Sequence, residues 1–198
     1  QTQVALTRGR SAEHYFEVLQ SNLEELERLR SIINDMLFLA SADQGSKATR
    51  LTSASLAEEV ATTLDYLDYI LEDAQVRVEV SGDAQARIEK AHLRRALINL
   101  LNNAVQHTGP GQVIQVKIHS ENGQVGIDVS NPGPAIANEH LARLFERFYR
   151  VDAARSNAGG GNHGLGLAIV KAIAVMHGGS VFVRSQGGAN TFGILLPA

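Results

Sequence analysis

Four polar residues share one face of a strongly patterned helix, where they could bind a metal ion or a phosphate. Asn99, Asn103, Gln106 and His107 follow each other at i, i+4, i+7 and i+8, so they form one stripe, and the leucines between them face away. Asparagine is a poor helix former because its side chain competes for backbone hydrogen bonds. Amide oxygens are hard, neutral ligands that suit a Mg²⁺ ion sharing phosphate oxygens and water. Taken alone, the stripe fits a magnesium–phosphate site and a solvated helix face equally well.

Two loops add backbone groups of the kind that approach phosphates. The segment Ser130-Asn131-Pro132-Gly133 ends a strand in a sharp turn, which by itself is also an ordinary connection. The glycine-rich stretch 159–167 opens a helix, and the free N–H groups at a helix start attract phosphate. Its glycines also match the dinucleotide pattern GxGxxG. However, no strand precedes them and no acidic residue lies about twenty positions further on, so the dinucleotide alternative fails.

The composition excludes several classes of protein. The 198 residues carry 18 lysines and arginines against 21 aspartates and glutamates, a net charge of -3, so we expect no nucleic-acid partner. With 44% hydrophobic residues the chain builds a core. The absence of cysteine excludes disulfides, zinc–thiolate sites and thiol nucleophiles. We expect a soluble segment and, because the sequence starts in mid-pattern without methionine, a piece of a longer protein.

A long apolar pattern dominates the first part of the chain. Residues 11–42 contain no glycine or proline, and apolar residues recur there in gaps of three and four. This predicts one long helix with an apolar seam, which a second chain would cover in a dimeric bundle. The alternative is that the helix packs on its own globular domain. The seam consists of Phe16, Leu19, Leu23, Leu26, Ile33, Leu37 and Ala40, with Arg30 at the one place that is not apolar.

After a helix stop at 43–47, helices and strands interleave. Apolar spacing predicts helices at 55–73, 89–107 and 165–177 and a short one at 138–145. Asn122-Gly123 is a hairpin signal. This order predicts an α+β sandwich, with one mostly antiparallel sheet covered on one face by helices. Alternation predicts the strands at 76–80, 84–88, 113–119, 124–129, 180–185 and 191–196.

The order of four motifs resembles that of sensor histidine kinases. The resemblance covers essentially the whole chain, and it implies a Bergerat-type ATP-binding α/β sandwich with a mixed sheet at 46–198. It further implies that 1–45 is the C-terminal part of a helical dimerisation and phosphotransfer hairpin. The motifs similar to the N, G1, F and G2 boxes are Asn99-x-x-x-Asn103, Ser130-Asn131-Pro132-Gly133, Phe145-Glu-Arg-Phe148 and Gly164-Leu-Gly166-Leu. The Asn-Pro-Gly form and the sequence Phe-Tyr-Arg-Val-Asp at 148–152 are similar to the copper- and silver-responsive heavy-metal branch.

The resemblance implies an activity and a set of partners. A kinase of this family transfers the γ-phosphoryl group of ATP to a histidine, from which it passes to an aspartate of a response regulator. None of the seven histidines stands in the expected His-Glu-x-x-[small or basic]-Pro context, so we expect the acceptor outside this segment. The implied partners are ATP, Mg²⁺, a second copy bound through 11–42, and a response regulator. The full protein is expected in a bacterial inner membrane, with this portion in the cytoplasm.

The family's site residues carry over to matching positions of this sequence. By the resemblance, Asn103 holds Mg²⁺ and forms the catalytic pair with Asn99, His107 flanks the adenine, and Arg150 and Arg155 neutralise phosphate charge. Phe145 and Phe148 are expected to pack rather than to take part in chemistry. The implied ATP site comprises Asn99, Asn103, Gln106, His107, Ser130, Asn131, Gly133, Arg150, Arg155, Gly161, His163, Gly164, Leu165, Gly166 and Leu167.

Three of these positions depart from the family pattern. By the resemblance, Ser130 stands where the family usually has an aspartate that accepts from the adenine amino group. Gln106 stands where the family usually has a lysine, and His163 where many members have a serine or threonine. Two alternatives therefore stay open. Ser130 and Gln106 favour a magnesium–nucleotide-binding dimerisation module without transfer activity. An anti-sigma-type serine kinase would share the fold, but the long bundle helix at 11–42 disfavours it.

Overall fold

The computed structural model of the protein describes residues 11–151 and 163–198. The predicted helices and strands are confirmed with bounds that shift by a few residues. Two differences stand out: β1 was not predicted, and the short helix predicted at 138–145 ends at Leu141, after which the chain forms turns. The elements are α1 (Ala12–Asp43), β1 (Thr52–Ser55), α2 (Leu56–Asp73), β2 (Arg77–Ser81), β3 (Gln85–Ile88), α3 (Lys90–Gln106), β4 (Val113–Glu121), β5 (Gln124–Pro132), α4 (Asn138–Leu141), α5 (Gly166–Met176), β6 (Ser180–Gln186) and β7 (Ala189–Pro197).

One five-stranded sheet carries the domain that follows α1. Its strand order is β2-β4-β5-β7-β6, with β2 parallel to β4 and all other neighbours antiparallel. Strands β1 and β3 form a separate antiparallel pair. Helices α2, α3 and α5 cover one face of the large sheet, so the predicted α+β sandwich is confirmed. The largest buried side chains of the core are Leu56, Leu67, Ile88, Leu93, Leu97, Leu100, Leu101, Ile114, Ile127, Ile169, Ile173 and Ile194.

The hairpin between β4 and β5 forms where the sequence predicts it. Glu121 pairs with Gln124, and the two residues between them have positive φ, 52° at Asn122 and 75° at Gly123. Both conformations are those of the tight turn whose twist matches that of the flanking strands. The Asn-Gly signal therefore fixes the register of β4 against β5.

Helix α3 is held from two sides. Its leucines enter the core, and at its start Lys90 and Arg94 reach the carboxylate of Glu59 on α2, at 2.8 and 2.9 Å. Burial alone would raise the pKa of Glu59, but the hydrogen bonds and charges of the two cations outweigh it and hold that pKa below its ordinary value. The opposite, polar face of α3 is thereby presented as a rigid surface.

Helix α1 has two faces with different neighbours. One face docks on the sandwich: Leu39 is buried, Asp35 meets Arg95 at 2.6 Å, and Arg147 reaches Asp43 at 2.5 Å. The apolar seam lies on another face and is exposed; Leu23, for example, is 58% exposed. Within the described residues, packing on the sandwich therefore accounts for one face of α1 and leaves the seam exposed. Among the described helices, none combines the length and the apolar character needed to cross a bilayer.

Candidate functional site

A cavity of about 410 Å³ lies where α1, α3 and the start of α5 meet. It gathers residues from distant parts of the sequence, and most of them are polar. Of the residues predicted from the sequence, it brings together Asn99, Asn103, Gln106, His163, Leu165, Gly166 and Leu167. The lining residues that the sequence prediction missed are Arg28, Ser31, Ile32, Asp35 and Asn102.

The amide of Asn99 is oriented by its own helix. Its Nδ2 donates to the carbonyl oxygen of Arg95 at 2.8 Å, so its Oδ1 points away from that turn and towards α5. A Cβ atom placed on Gly166 would lie 2.8 Å from this Oδ1. A larger residue at position 166 would therefore displace the Asn99 amide from the first turn of α5. Asn103, one turn further along α3, lines the same cavity.

The N-terminus of α5 opens onto the cavity. Its N-cap residue Leu165 offers no side-chain acceptor, and none caps the helix within the described residues. The N–H groups of the first turn are left for a ligand, and the helix dipole places partial positive charge there. Because Leu165, Gly166 and Leu167 all line the cavity, this end of α5 fits a phosphate group.

Glycine is required at position 164 by the backbone conformation there and by the close approach of Phe148, which the sequence analysis did not predict. Its φ is +71°, and a Cβ there would lie 2.8 Å from the carbonyl carbon of Phe148. Phe148 itself has a positive φ of 62°, and its N–H donates to the Gly164 carbonyl oxygen at 2.9 Å. The two motifs are thus locked backbone to backbone. Phe145 packs against the core, and Gly164 is not part of the cavity lining.

A second polar cluster surrounds Asn131 at the C-terminal end of α3. Asn131 is 1% exposed, and its Nδ2 donates to the carbonyl oxygens of Pro132 at 3.1 Å and His107 at 3.5 Å. Its buried Oδ1 has no hydrogen-bond partner among the described residues. A buried acceptor left unsatisfied is costly, so this oxygen requires an N–H or O–H donor from outside the described residues. Gly133 lies beside it, close to the His107 carbonyl.

The surroundings of His107 favour the uncharged form of its ring. Desolvation, first, and the nearby charge of Arg150, second, lower the pKa of His107 below its ordinary value. Arg150 therefore lies close enough to His107 for their charges to repel. A neutral imidazole is suited to packing against a flat ligand rather than to binding phosphate, as the resemblance implies for this position.

Ser130 lies on the face of the sheet that the helices leave open. Side chains along β5 alternate: Val129 and Asn131 point into the helix-covered face, and Ser130 points to the open face. There its hydroxyl is hydrogen-bonded to that of Thr191, its partner residue on β7. Since a strand turns successive side chains to opposite faces, the residue that faces the helices is Asn131. Asp128 shares the open face with Ser130, as its spacing predicts.

A pair of residues at the far end of the sequence fixes the turn after β5, and the sequence prediction missed it. Asn190 is opposite Asn131 in the sheet and donates from Nδ2 to the Pro134 carbonyl oxygen at 3.1 Å. Its Oδ1 accepts from the hydroxyl of Ser185 at 2.6 Å, and that hydroxyl accepts from the Ile136 N–H at 2.8 Å. The signal available in the sequence was the placement of two polar residues, Asn131 on β5 and Asn190 on β7, at positions that face the core.

The remaining predicted residues, Arg155 and Gly161, lie outside the described residues. In the described part of the chain, no group of three or more His, Cys, Asp or Glu side chains could hold a metal ion. A metal ion at the cavity would therefore rely on amide oxygens, water and oxygens of its own ligand. That is the way in which Mg²⁺ is commonly held with phosphates, so the donor set fits magnesium–nucleotide.

A helix-backed mixed sheet with a polar cavity at a helix start is typical of an ATP-binding sandwich. Residues 88–198 match the family of histidine kinase-, DNA gyrase B-, and HSP90-like ATPases. The chain belongs to this family.

Several known proteins are similar over nearly the whole chain. The sensor histidine kinase CusS of Escherichia coli (strain K12) is 45% identical over 199 residues, covering 100% of this chain and 41% of CusS. The chain thus spans about two fifths of the length of this relative. The structure of ShkA in complex with AMPPNP has a TM-score of 0.74 at 25% identity and covers 96% of this chain and 40% of that one. The histidine kinase ThkA in complex with the response regulator TrrA has a TM-score of 0.75 at 20% identity, over 99% and 55% of the two chains, which shows the fold alone.

Proposed function

We propose that this chain is the catalytic core of a sensor histidine kinase that binds Mg·ATP in the cavity between α1, α3 and α5. The observation that carries the proposal is the meeting of an amide-bearing face of α3 with the N-terminus of α5, which no side chain of the described residues caps. Amide oxygens suit magnesium, and a helix N-terminus suits phosphate. The similarity to CusS supports the transfer of the γ-phosphoryl group to a histidine.

The proposed roles follow from where each side chain lies. Asn103 supplies an amide oxygen to Mg²⁺. Asn99 lies one turn earlier on α3 and faces the start of α5. His107 packs beside the base, and Asn131, in place of Ser130, accepts from the adenine amino group. Phosphoryl transfer depends mainly on positioning and charge stabilisation, which these groups and the N–H groups of α5 provide. Gln106, His163, Leu165, Gly166 and Leu167 complete the proposed wall of the cavity, and Gly133, Arg150, Arg155, Gly161 and Gly164 stay in the proposed site from the resemblance.

The proposal extends to the protein of which this chain is part. Residues 1–45 would belong to a dimerisation and phosphotransfer hairpin, and 46–198 would form the catalytic domain; the end of α1 at Asp43 supports this boundary. The exposed seam supports a homodimer, and the ThkA–TrrA complex supports a response regulator as partner. The full protein would be anchored in a bacterial inner membrane and belong to the heavy-metal-responsive branch.

A titration with phosphotransfer separates this proposal from its alternatives. We expect the chain to bind ATP more tightly with Mg²⁺ than without it, and to phosphorylate an added domain that carries the acceptor histidine. Because none of its seven histidines has the acceptor context, the chain should not label itself. Binding without any transfer would favour the nucleotide-binding dimerisation module, and labelling of a serine would favour the anti-sigma-type kinase. Acid-labile phosphate on a histidine of this chain would contradict the placement of the acceptor.

Asn131 should select adenine over guanine. Two backbone carbonyls accept from its Nδ2, which leaves its Oδ1 as the acceptor; an acceptor suits the amino group of adenine and opposes the carbonyl of guanine. Asn131→Leu should lower ATP affinity about three- to tenfold, the value of one neutral hydrogen bond, and reduce the preference for ATP over GTP.

The matched control is Ser130→Ala, which changes the neighbouring residue on the open face and should leave both affinities as in the parent. Competition titrations of ATP and GTP against the three proteins measure this. If Ser130→Ala lost the ATP preference and Asn131→Leu kept it, base recognition would belong to Ser130 and not to Asn131.

A further inference from the structure

Helix α1 forms one wall of the proposed nucleotide cavity. A stripe at spacings of four and three, Arg28, Ile32 and Asp35, lies opposite the amide face of α3. Ile32 packs against the core, Asp35 is paired with Arg95 at 2.6 Å, and that guanidinium lies 4.2 Å from the ring of Phe38. Several independent contacts to the core and to α3 therefore hold α1 in place as a wall of the cavity.

The charged side chains of the cavity wall determine how well it can bind a triphosphate, which is strongly anionic. At position 106 the chain has a neutral glutamine, and the one carboxylate among the described lining residues, Asp35, is paired with Arg95. Of the cavity's lining residues in the described part of the chain, Arg28 is the one lysine or arginine. A polyanionic ligand in this cavity would have Arg28 as its cationic side chain on the wall.

The guanidinium of Arg28 is directed to the phosphate-binding end of the cavity. Its Nε donates to Nε2 of His163 at 3.0 Å, and His163 stands three residues before Gly166, where α5 begins. Within the described residues, its guanidinium also forms an exposed pair with Glu25, at 3.7 Å from Nη1. Such a surface pair contributes little, so it competes weakly with a phosphate. A guanidinium has five N–H donors, and these contacts leave donors for phosphate oxygens.

From these contacts we propose that Arg28 is a further phosphate-binding residue, and that α1 supplies to the nucleotide site the cation that Gln106 does not. The inference rests on the proposed function, since it takes the cavity as the nucleotide site. Phosphate binding then depends on how α1 is docked, because Arg28 belongs to the helix and Asn103 belongs to the sandwich. The ligand class is a nucleoside triphosphate, and Arg28 would recognise the charge of its phosphates rather than its base.

The test compares ATP with adenosine on the full chain. Arg28→Ala should weaken Mg·ATP binding about tenfold, as expected for a charged hydrogen bond at a partly exposed site, and leave adenosine binding unchanged. Arg28→Lys, which keeps the charge and loses the bond to His163, should fall between Arg28→Ala and the parent. Arg87→Ala removes the same charge from an exposed position of β3 and should bind both ligands like the parent.

Three results would overturn the inference. Equal ATP affinity in Arg28→Ala and the parent would remove Arg28 from the phosphate site while leaving the proposed function intact. An equal loss of adenosine and ATP affinity, with Arg28→Lys as weak as Arg28→Ala, would assign Arg28 a docking role only. A parent chain that binds neither ligand would overturn both the inference and the proposed function. Circular dichroism of each variant checks that the fold is kept.

Discussion

Replacing Asn103 with alanine is expected to lower the affinity for Mg·ATP about ten- to hundredfold while leaving the fold intact. The amide oxygen of Asn103 is the proposed protein ligand of Mg²⁺, and alanine has no atom that can take its place. Alanine is the best helix former, so the variant should if anything stabilise α3. Calorimetric titration gives the affinity, and circular dichroism with thermal unfolding reports on the fold.

Magnesium itself provides the control for this variant. If Asn103 acts through the metal, the parent and Asn103→Ala should bind ATP with similar affinity once Mg²⁺ is removed by a chelator. A loss of the same size with and without the metal would show that Asn103 contacts the nucleotide directly. Unchanged affinity for Mg·ATP in a folded variant would remove Asn103 from the site.

A charge in the seam of α1 is expected to dissociate a dimer. Leu23 lies in the middle of the seam and is 58% exposed, although an isolated apolar row of this length has no reason to face water. Leu23→Glu would bury a carboxylate in the interface of a bundle, which costs far more than the lost apolar contact. Sedimentation equilibrium should give twice the chain mass for the parent and the single-chain mass for the variant.

Ser21→Glu is the matched control, because it places the same charge on an exposed residue of the same helix, away from the seam. It should sediment like the parent. Identical masses for the parent and Leu23→Glu would refute the seam as a dimer interface. If both charged variants were monomeric, the cause would be the net charge of α1 and not the seam.

The elements of this protein could be predicted from its sequence because they depend on local pattern. The leucines of α3 recur with helical spacing, which fixes both the helix and the face that it buries, and the polar stripe of Asn99 and Asn103 follows on the other side. The Asn122-Gly123 turn fixes a hairpin by backbone conformation alone. The order of the motifs was enough to predict an ATP-binding sandwich.

The site residues were harder to predict on β5, where a shift of one residue along the strand moves the side chain to the other face of the sheet. Motif matching aligned Ser130 with the base-binding position, but the strand alternation that buries Val129 also turns Asn131 inwards. The alternation of Val129, Ser130 and Asn131 can itself be read from the sequence. The contact of Asn190 with the same turn was out of reach, because the register of β5 against β7 joins residues that are distant along the chain.

The sequence by itself determined the helices, the strands, the sandwich and the amide face of α3, because apolar periodicity decides locally which side of an element is buried. Only the tertiary structure decided which elements meet. The apolar pattern of α1 indicates a seam, but in the second stripe Ile32 stands between the charged residues Arg28 and Asp35, so the sequence does not show what this stripe packs against. Its docking against α3 and α5 depends on the ion pair of Asp35 with Arg95 and on the burial of Leu39. These are long-range contacts between complementary surfaces, and no local pattern encodes them.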